Sequence, residues 1–190
     1  MKEIAASLFI AVKPDRVWRE LAAFRHYRKW NPFVTAFTPD EDAGLAVGAK
    51  VELVMHLAAA DGQRQVDQAI TARLTKVEPE HELRWEHGSW LPGLLDFEHW
   101  WRIAPGKGGL TFHHVLRISG LMSGTLNDDY FAMYRAGLTA MNAALKERVE
   151  ALEANRPRLT VVPGGLANDN ADGVVNPGPP KPGAGRRAAG

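Results

Sequence analysis

Histidine is the side chain best suited to move or share a proton near neutral pH, and two of the seven histidines here stand out by their surroundings. His99 lies in the alternating run Phe97-Glu98-His99-Trp100-Trp101-Arg102-Ile103, in phase with Phe97, Trp101 and Ile103. His114 lies in a second such run, in phase with Leu110, Phe112, Leu116 and Ile118. A neutral imidazole offers one donor and one acceptor, so the pair could orient a carbonyl or hydroxyl group or pass a proton. It could equally be a satisfied interior pair with a structural role. If the Gly-rich stretch Pro105-Gly106-Lys107-Gly108-Gly109 closes a hairpin, Ile103 faces Leu110, Trp101 faces Phe112 and His99 faces His114. A slip by two residues keeps the faces and breaks the histidine pair. The phenols of Tyr130 and Tyr134 could join them.

Other chemistries lack their residues. There is no cysteine, so thiol chemistry, disulfides and thiolate metal sites are excluded. A metal needs a third convergent ligand beside the two histidines, and none is predicted nearby. No Gly-rich phosphate loop and no serine nucleophile context occurs. His56 and His113 have the opposite parity and are predicted to be solvated.

The elements that must position these groups read as follows. Glu3–Val12 is a strand ending at Lys13-Pro14-Asp15, where Pro14 suits a first helical turn. Asp15–Phe24 is a helix and Arg25–Lys29 a second, short one. Strands follow at Phe33–Thr38, Ala49–Leu57, Gln65–Glu78, His81–His87, Asp96–Ala104 and Leu110–Ile118. Asp61-Gly62 marks a hairpin turn. The parity shift between Leu74 and Val77 predicts a bulge near Thr75. Thr125–Glu153 is a long amphipathic helix, with Tyr130, Met133, Tyr134, Leu138, Met141 and Leu145 on its apolar stripe. Asn127 or Ser123 can cap it, and Arg135, Asn142, Lys146 and Glu150 fall on the polar side. Hairpin-length connections and no βαβ spacing make the sheet antiparallel.

Composition sets the outer bounds. With 45% apolar residues, 190 residues supply one real core. Residues 1–155 read as the domain. Six of the twelve prolines fall in 156–190, which reads as a disordered Pro/Gly-rich tail in which only Leu159–Val162 has strand character. A formal net charge of +1 argues against a nucleic-acid partner. No run is apolar enough to span a bilayer or serve as a signal peptide, so no integral membrane association and a cytoplasmic location are expected.

The order of elements, together with Lys13-Pro14-Asp15-Arg16-Val17-Trp18, Tyr27-Arg28-Lys29-Trp30-Asn31-Pro32-Phe33, Val77-Glu78-Pro79, Leu83-Arg84-Trp85 and the stretch from Phe97-Glu98-His99 to Ser119-Gly120-Leu121, resembles the START/Bet v 1-like (SRPBCC) superfamily and its polyketide cyclase/dehydratase branch. The resemblance implies an α+β helix-grip fold: a curved antiparallel sheet of about seven strands around a long C-terminal helix. It makes the face of His99 and His114 the concave one and adds Met55, Leu57, Trp85, Tyr130, Met133, Tyr134 and Met141 to Phe97, Trp101 and Phe112 in lining a ligand cavity. His87 shares that parity at a strand end. Related cyclase-like sequences often carry a glutamate where Leu116 stands, which argues against a carboxylate-driven mechanism here.

The expected function is binding of a small hydrophobic or aromatic molecule, with no cofactor or metal, by a monomer or weak homodimer. His99 and His114 are the candidate catalytic residues if a reaction occurs. The alternatives are a polyketide cyclase/dehydratase-type enzyme and an Hsp90-activator-like protein-binding regulator. The apolar loop Gly88–Leu95 could act as a lid or as a membrane or partner contact, and Trp100, of outward parity, could mark a dimer face.

Overall fold

The computed structural model describes residues 1–39, 44–58 and 65–156. The turn at Asp61-Gly62, the Leu159–Val162 stretch and the tail lie outside these residues. In chain order the elements are β1 (Lys2–Ile10), α1 (Pro14–Ala22), a 3₁₀ turn (Phe24–Lys29), β2 (Val34–Pro39), β3 (Lys50–Ala58), β4 (Gln65–Glu78), β5 (Glu82–Gly88), β6 (Asp96–Gly106), β7 (Gly109–Ser119), a short 3₁₀ turn (Leu121–Gly124) and α2 (Asp128–Ala154). The strands form one antiparallel sheet in the order β1-β7-β6-β5-β4-β3-β2. The fold is the α+β helix grip, with the curved sheet packed on α2.

Local chemistry explains the joints. Pro14 opens α1, where its missing N–H costs nothing. Asn31 Oδ1 accepts from the backbone N–H of Phe33 at 3.0 Å and of Val34 at 2.9 Å, turning the chain into β2 and fixing Phe33. The register of β4 on β5 shifts between Leu74 and Lys76, so the bulge falls at Thr75. Asn127 caps α2 by accepting from Tyr130 N–H at 3.0 Å, and Asp128 and Asp129 sit at the positive end of the helix dipole.

The β6–β7 hairpin differs from the sequence expectation. Both strands run further, to Gly106 and Gly109, and only Lys107-Gly108 turns, with Gly108 at φ 77°. The register moves by two residues: Ile103 faces Phe112, Trp101 faces His114, and His99 faces Leu116. His99 and His114 share the inner face and are not partners. Outer-face charges favour this alignment, because it sets Glu98 opposite Arg117.

Two surfaces of α2 hold it. Tyr134, Leu138, Met141 and Leu145 are fully buried against the sheet. A second row, at four-residue steps, bonds the backbone of β1 and the residue after it: Asn142 Nδ2 donates to Ala6 O at 3.2 Å, Lys146 Nζ donates to Phe9 O at 3.0 Å, and Glu150 Oε1 accepts from Ala11 N–H at 3.0 Å. Asn142, placed on the polar side by its residue type, is therefore buried.

The outer face carries a chain of ion pairs. It runs from Glu3 to Arg117 (3.3 Å), Glu98 (3.0 Å), Arg84 (2.7 Å), Glu82 (2.7 Å) and Lys76 (3.2 Å), across five strands. Trp100 is half-buried beneath two of these cations, its ring 4.9 Å from Arg84 and 4.8 Å from Arg117.

Gly137 sets how close α2 comes to the 3₁₀–β2 corner. A Cβ there would lie 2.3 Å from the Phe33 ring. Gly137→Ala is expected to lower stability although alanine favours a helix by about 1 kcal/mol, because overpacking costs about 1–3 kcal/mol. Urea denaturation checks this, and adding Phe33→Leu should recover part of the loss. A more stable single variant would show that Phe33 has room to retreat.

Candidate functional site

The inner face of β5, β6 and β7 presents rings in cross-strand pairs. Trp85 and His99, opposite each other, stack at 5.1 Å with planes 7° apart. His87 and Phe97, the next inward pair, stack at 4.6 Å. Trp101 meets Trp85 edge-on at 4.5 Å and His114 edge-on at 5.8 Å. From α2, Tyr134 closes over His99 at 6.2 Å between ring centres. Offset and edge-to-face packing of this kind stabilises each ring pair beyond the area it buries.

All twelve residues proposed to line a cavity lie on this inner side. Met55, Trp85, Trp101, Phe112, Tyr134 and Met141 are fully buried, as are both histidines. Leu57, Phe97 and Met133 are buried with a few per cent exposed, and Tyr130 is half-buried. The deep part of the space is therefore walled tightly. It opens between β3–β4 and the start of α2, where a cavity of about 270 Å³ is lined by Leu57, Val66, Gln68, Asn127, Tyr130 and Met133. A hydroxyl relay links two residues of this mouth through Tyr134: Tyr130 donates to Tyr134 at 3.2 Å, and Tyr134 donates to Gln68 Oε1 at 2.8 Å. A larger groove, about 650 Å³, lies on the outer face around Arg73, Glu86, Glu98 and Arg117. Its wall mixes charged side chains with the Gly88–Gly93 loop, and it reaches the ring set only at its edge, through His87 and Phe97.

The sequence profile of the family described as "Polyketide cyclase / dehydrase and lipid transport" matches residues 1–154. The chain belongs to this family. No curated protein matches it. Among solved structures it is similar to TTHA0849 from Thermus thermophilus (17% identity, 80% of this chain and 99% of that one, TM-score 0.58). It is also similar to the di-domain ARO/CYC StfQ from the steffimycin biosynthetic pathway (12% identity, 80% of this chain and 52% of that one, TM-score 0.59). A third is the Aha1 dimer from Colwellia psychrerythraea (15% identity, 79% of this chain and 97% of that one, TM-score 0.56). At these identities the likeness establishes the fold. As a member of the polyketide cyclase / dehydrase and lipid transport family, the chain is built to bind a small hydrophobic or aromatic molecule between sheet and α2.

The polar groups of this family member's inner space are unusually bare. Neither ring nitrogen of His99 or of His87 has a hydrogen-bond partner among the described residues, nor does Nε2 of His114. His114 Nδ1 meets Asn142 Oδ1 at 3.2 Å. Burial keeps all three imidazoles neutral: His114 is pushed down to about 3 and His87 to about 4. His99 lies well below the usual histidine range, by burial first and by the charges His87 and His114 would carry. Burial also raises the Tyr134 phenol, which stays a donor. Among the described residues no group of three His, Cys, Asp or Glu side chains is placed to hold a metal ion.

Three contributors were not named as site residues from sequence. His87 had the right parity but stood at a strand end. Gln68 shares the parity of Ile70, Ala72 and Leu74, a usable signal. Asn142 is four residues past Leu138 and three before Leu145, so its spacing fits the apolar stripe although its type does not. On the outer face His56 bonds Thr35 and Asp67, and His113 bonds Ser7 at 2.8 Å. In the Gly88–Leu95 loop Trp90 is 87% exposed, so it does not pack back on the domain. Among the described residues no helix is long and apolar enough to cross a membrane.

Neutral burial of His87 and His114 has a pH signature. Their folded values lie below 6.5, so the unfolded chain takes up protons first as pH falls. The stability they contribute is complete above about pH 6.5 and is lost as pH drops through about 4 and about 3. Unfolding free energy is expected to fall by several kcal/mol, to order of magnitude, between pH 7 and pH 4. Urea midpoints across that range check it. A flat profile, or imidazole resonances titrating near pH 6.5, would contradict neutral burial.

Proposed function

We propose that this chain binds an aromatic or other rigid apolar molecule reversibly, and that His99, His114 and the Tyr130–Tyr134 pair orient the ligand's polar substituents. The observation that carries the reading is the set of bare imidazole nitrogens in an otherwise aromatic interior. Each unsatisfied buried polar group costs about 1–3 kcal/mol. A fold that only needed to fill space would use Phe or Leu at those positions. A ligand with hydroxyl or carbonyl groups supplies the missing partners, and its body enters by the mouth at Leu57, Tyr130 and Met133.

Binding accounts for the site better than turnover does. A general base works best with a pKa near the working pH, and His114, at about 3, is far below it. Leu116, opposite His99, supplies no carboxylate. Membership of the polyketide cyclase / dehydrase and lipid transport family and the likeness to StfQ, a di-domain ARO/CYC, favour one second reading, a cyclase/dehydratase-type reaction on a polyketide-like substrate with His99 as the proton-handling group. We further propose that the protein works in the cytoplasm as a monomer or weak homodimer, with residues 1–155 as the functional domain and without a nucleic-acid partner.

The test pairs ligand and variant. A ligand present at 100 times its Kd adds about 2.7 kcal/mol, a rise of roughly 5–10 °C in Tm for a domain of this size. At least one member of a panel of flavonoids, quinones, fatty acids and sterols is expected to give such a rise. His99→Phe keeps the stack on Trp85 and removes two bare nitrogens. It is expected to raise the Tm of the unliganded protein and to shrink the ligand-induced shift. An undiminished shift in that variant would remove His99 from the site. Turnover of a polyketide-like substrate, abolished by His99→Phe, would establish the second reading instead.

A further inference from the structure

We propose that Asn142 selects the tautomer of His114, and that the inner site is thereby specific for ligands bearing a hydroxyl donor, phenols above all. The inference rests on the binding reading above and goes beyond it by naming the ligand class.

Asn142 is 2% exposed and lies between two groups of fixed demand. On one side is the carbonyl oxygen of Ala6, on β1, at 3.2 Å from Nδ2. A carbonyl only accepts, so the amide must turn its NH₂ toward Ala6. The opposite orientation would bring two oxygens together. Oδ1 is then committed to the other side, where His114 Nδ1 lies at 3.2 Å. An amide oxygen also only accepts, so Nδ1 must carry the hydrogen. A neutral imidazole has a single N–H, and His114 is neutral at any pH near 7. Nε2 is left as a bare lone pair.

That lone pair has no partner among the described residues. The rings around His114 are Phe33 at 6.3 Å, Trp101 at 5.8 Å and Phe112 at 6.3 Å. The hydroxyl of Tyr134, which packs on Phe33 and His99, already donates to Gln68. The site therefore asks its ligand for a donor. A hydroxyl meets the demand; a methyl ether or ketone would set lone pair against lone pair. Asn142 touches no ligand in this scheme and is a positioning residue.

The first test needs no ligand. Nitrogen-15 NMR of the wild-type histidine rings is expected to show His114 with a protonated Nδ1 and a pyridine-like Nε2. The reverse pattern overturns the proposal whether or not anything binds. The second test uses 2-naphthol and 2-methoxynaphthalene as matched probes. Wild type is expected to bind the naphthol at least about tenfold more tightly, the discrimination of a single hydrogen bond in a buried site. Equal affinity overturns the specificity. If neither probe nor the wider panel binds while the tautomer is as stated, the binding reading fails and the ligand half of the proposal falls with it, leaving the Asn142–His114 assignment. Asn142→Leu releases His114 to either tautomer, and the preference for the naphthol is expected to vanish or invert. Asn142→Asp sets an oxygen against Ala6 O and a negative charge beside His114, which favours a proton on both ring nitrogens; Nε2 then becomes a donor, and the preference for the naphthol is expected to be lost. A preference unchanged in Asn142→Leu overturns the role of Asn142. If that variant does not fold, the wild-type ring spectrum and the Asn142→Asp affinities decide.

Discussion

The docking of α2 is the constraint on which the rest of the molecule depends. Its apolar stripe needs a broad, bent surface, and the sheet supplies one. Burial alone is non-directional and would let a helix slide or roll. The row Asn142, Lys146 and Glu150 removes that freedom by bonding backbone groups of Ala6, Phe9 and Ala11, along and just past β1. Rotation of α2 is fixed, and with it the positions of Tyr130, Tyr134 and the amide facing His114.

From this follows a site whose electrostatics are quiet. All three inner histidines are held neutral by burial, and among the described residues no inner carboxylate answers them; Glu82, the one buried acid among those residues, belongs to the outer chain of ion pairs. What the interior offers is direction: rings in fixed planes, a relay of hydroxyls at the mouth, and lone pairs and N–H groups at set depths. Such an interior recognises shape and hydrogen-bond polarity better than it drives proton transfer.

Much of this was legible in the residues. Alternation located the strands, the broken parity at Leu74–Val77 located the bulge at Thr75, and Asn127 was a readable cap. The inner face of the last two strands followed from phase alone, which placed His99 and His114 correctly in depth. Their pairing did not follow, because phase is blind to a slip of two residues. Pro105 and Gly106 look like turn residues, yet they continue β6, and the turn is made by Lys107 and Gly108. Asn142 has the residue type of the polar side of α2 and the spacing of its buried side, and the spacing prevails. A buried amide is worth its desolvation only when two partners await it, and those partners lie 136 and 28 residues away in the chain. The width of the interior is likewise a sum of many ring contacts between distant strands, which no local pattern encodes.

The lacework of charges on the outer face has a consequence for how the chain finds its alignment. Opposite signs meet from Glu3 to Lys76 only when five strands are correctly staggered. Shifting β7 by two residues against β6 would set Glu98 beside Val115 and break its pair with Arg117, leaving it only Arg84, although the apolar side chains of the inner face would still point inward. The interior tolerates such a misstep; the exterior does not. A surface remote from any ligand thus works as a proofreader, rejecting sheets whose inner rings would be stacked on the wrong neighbours.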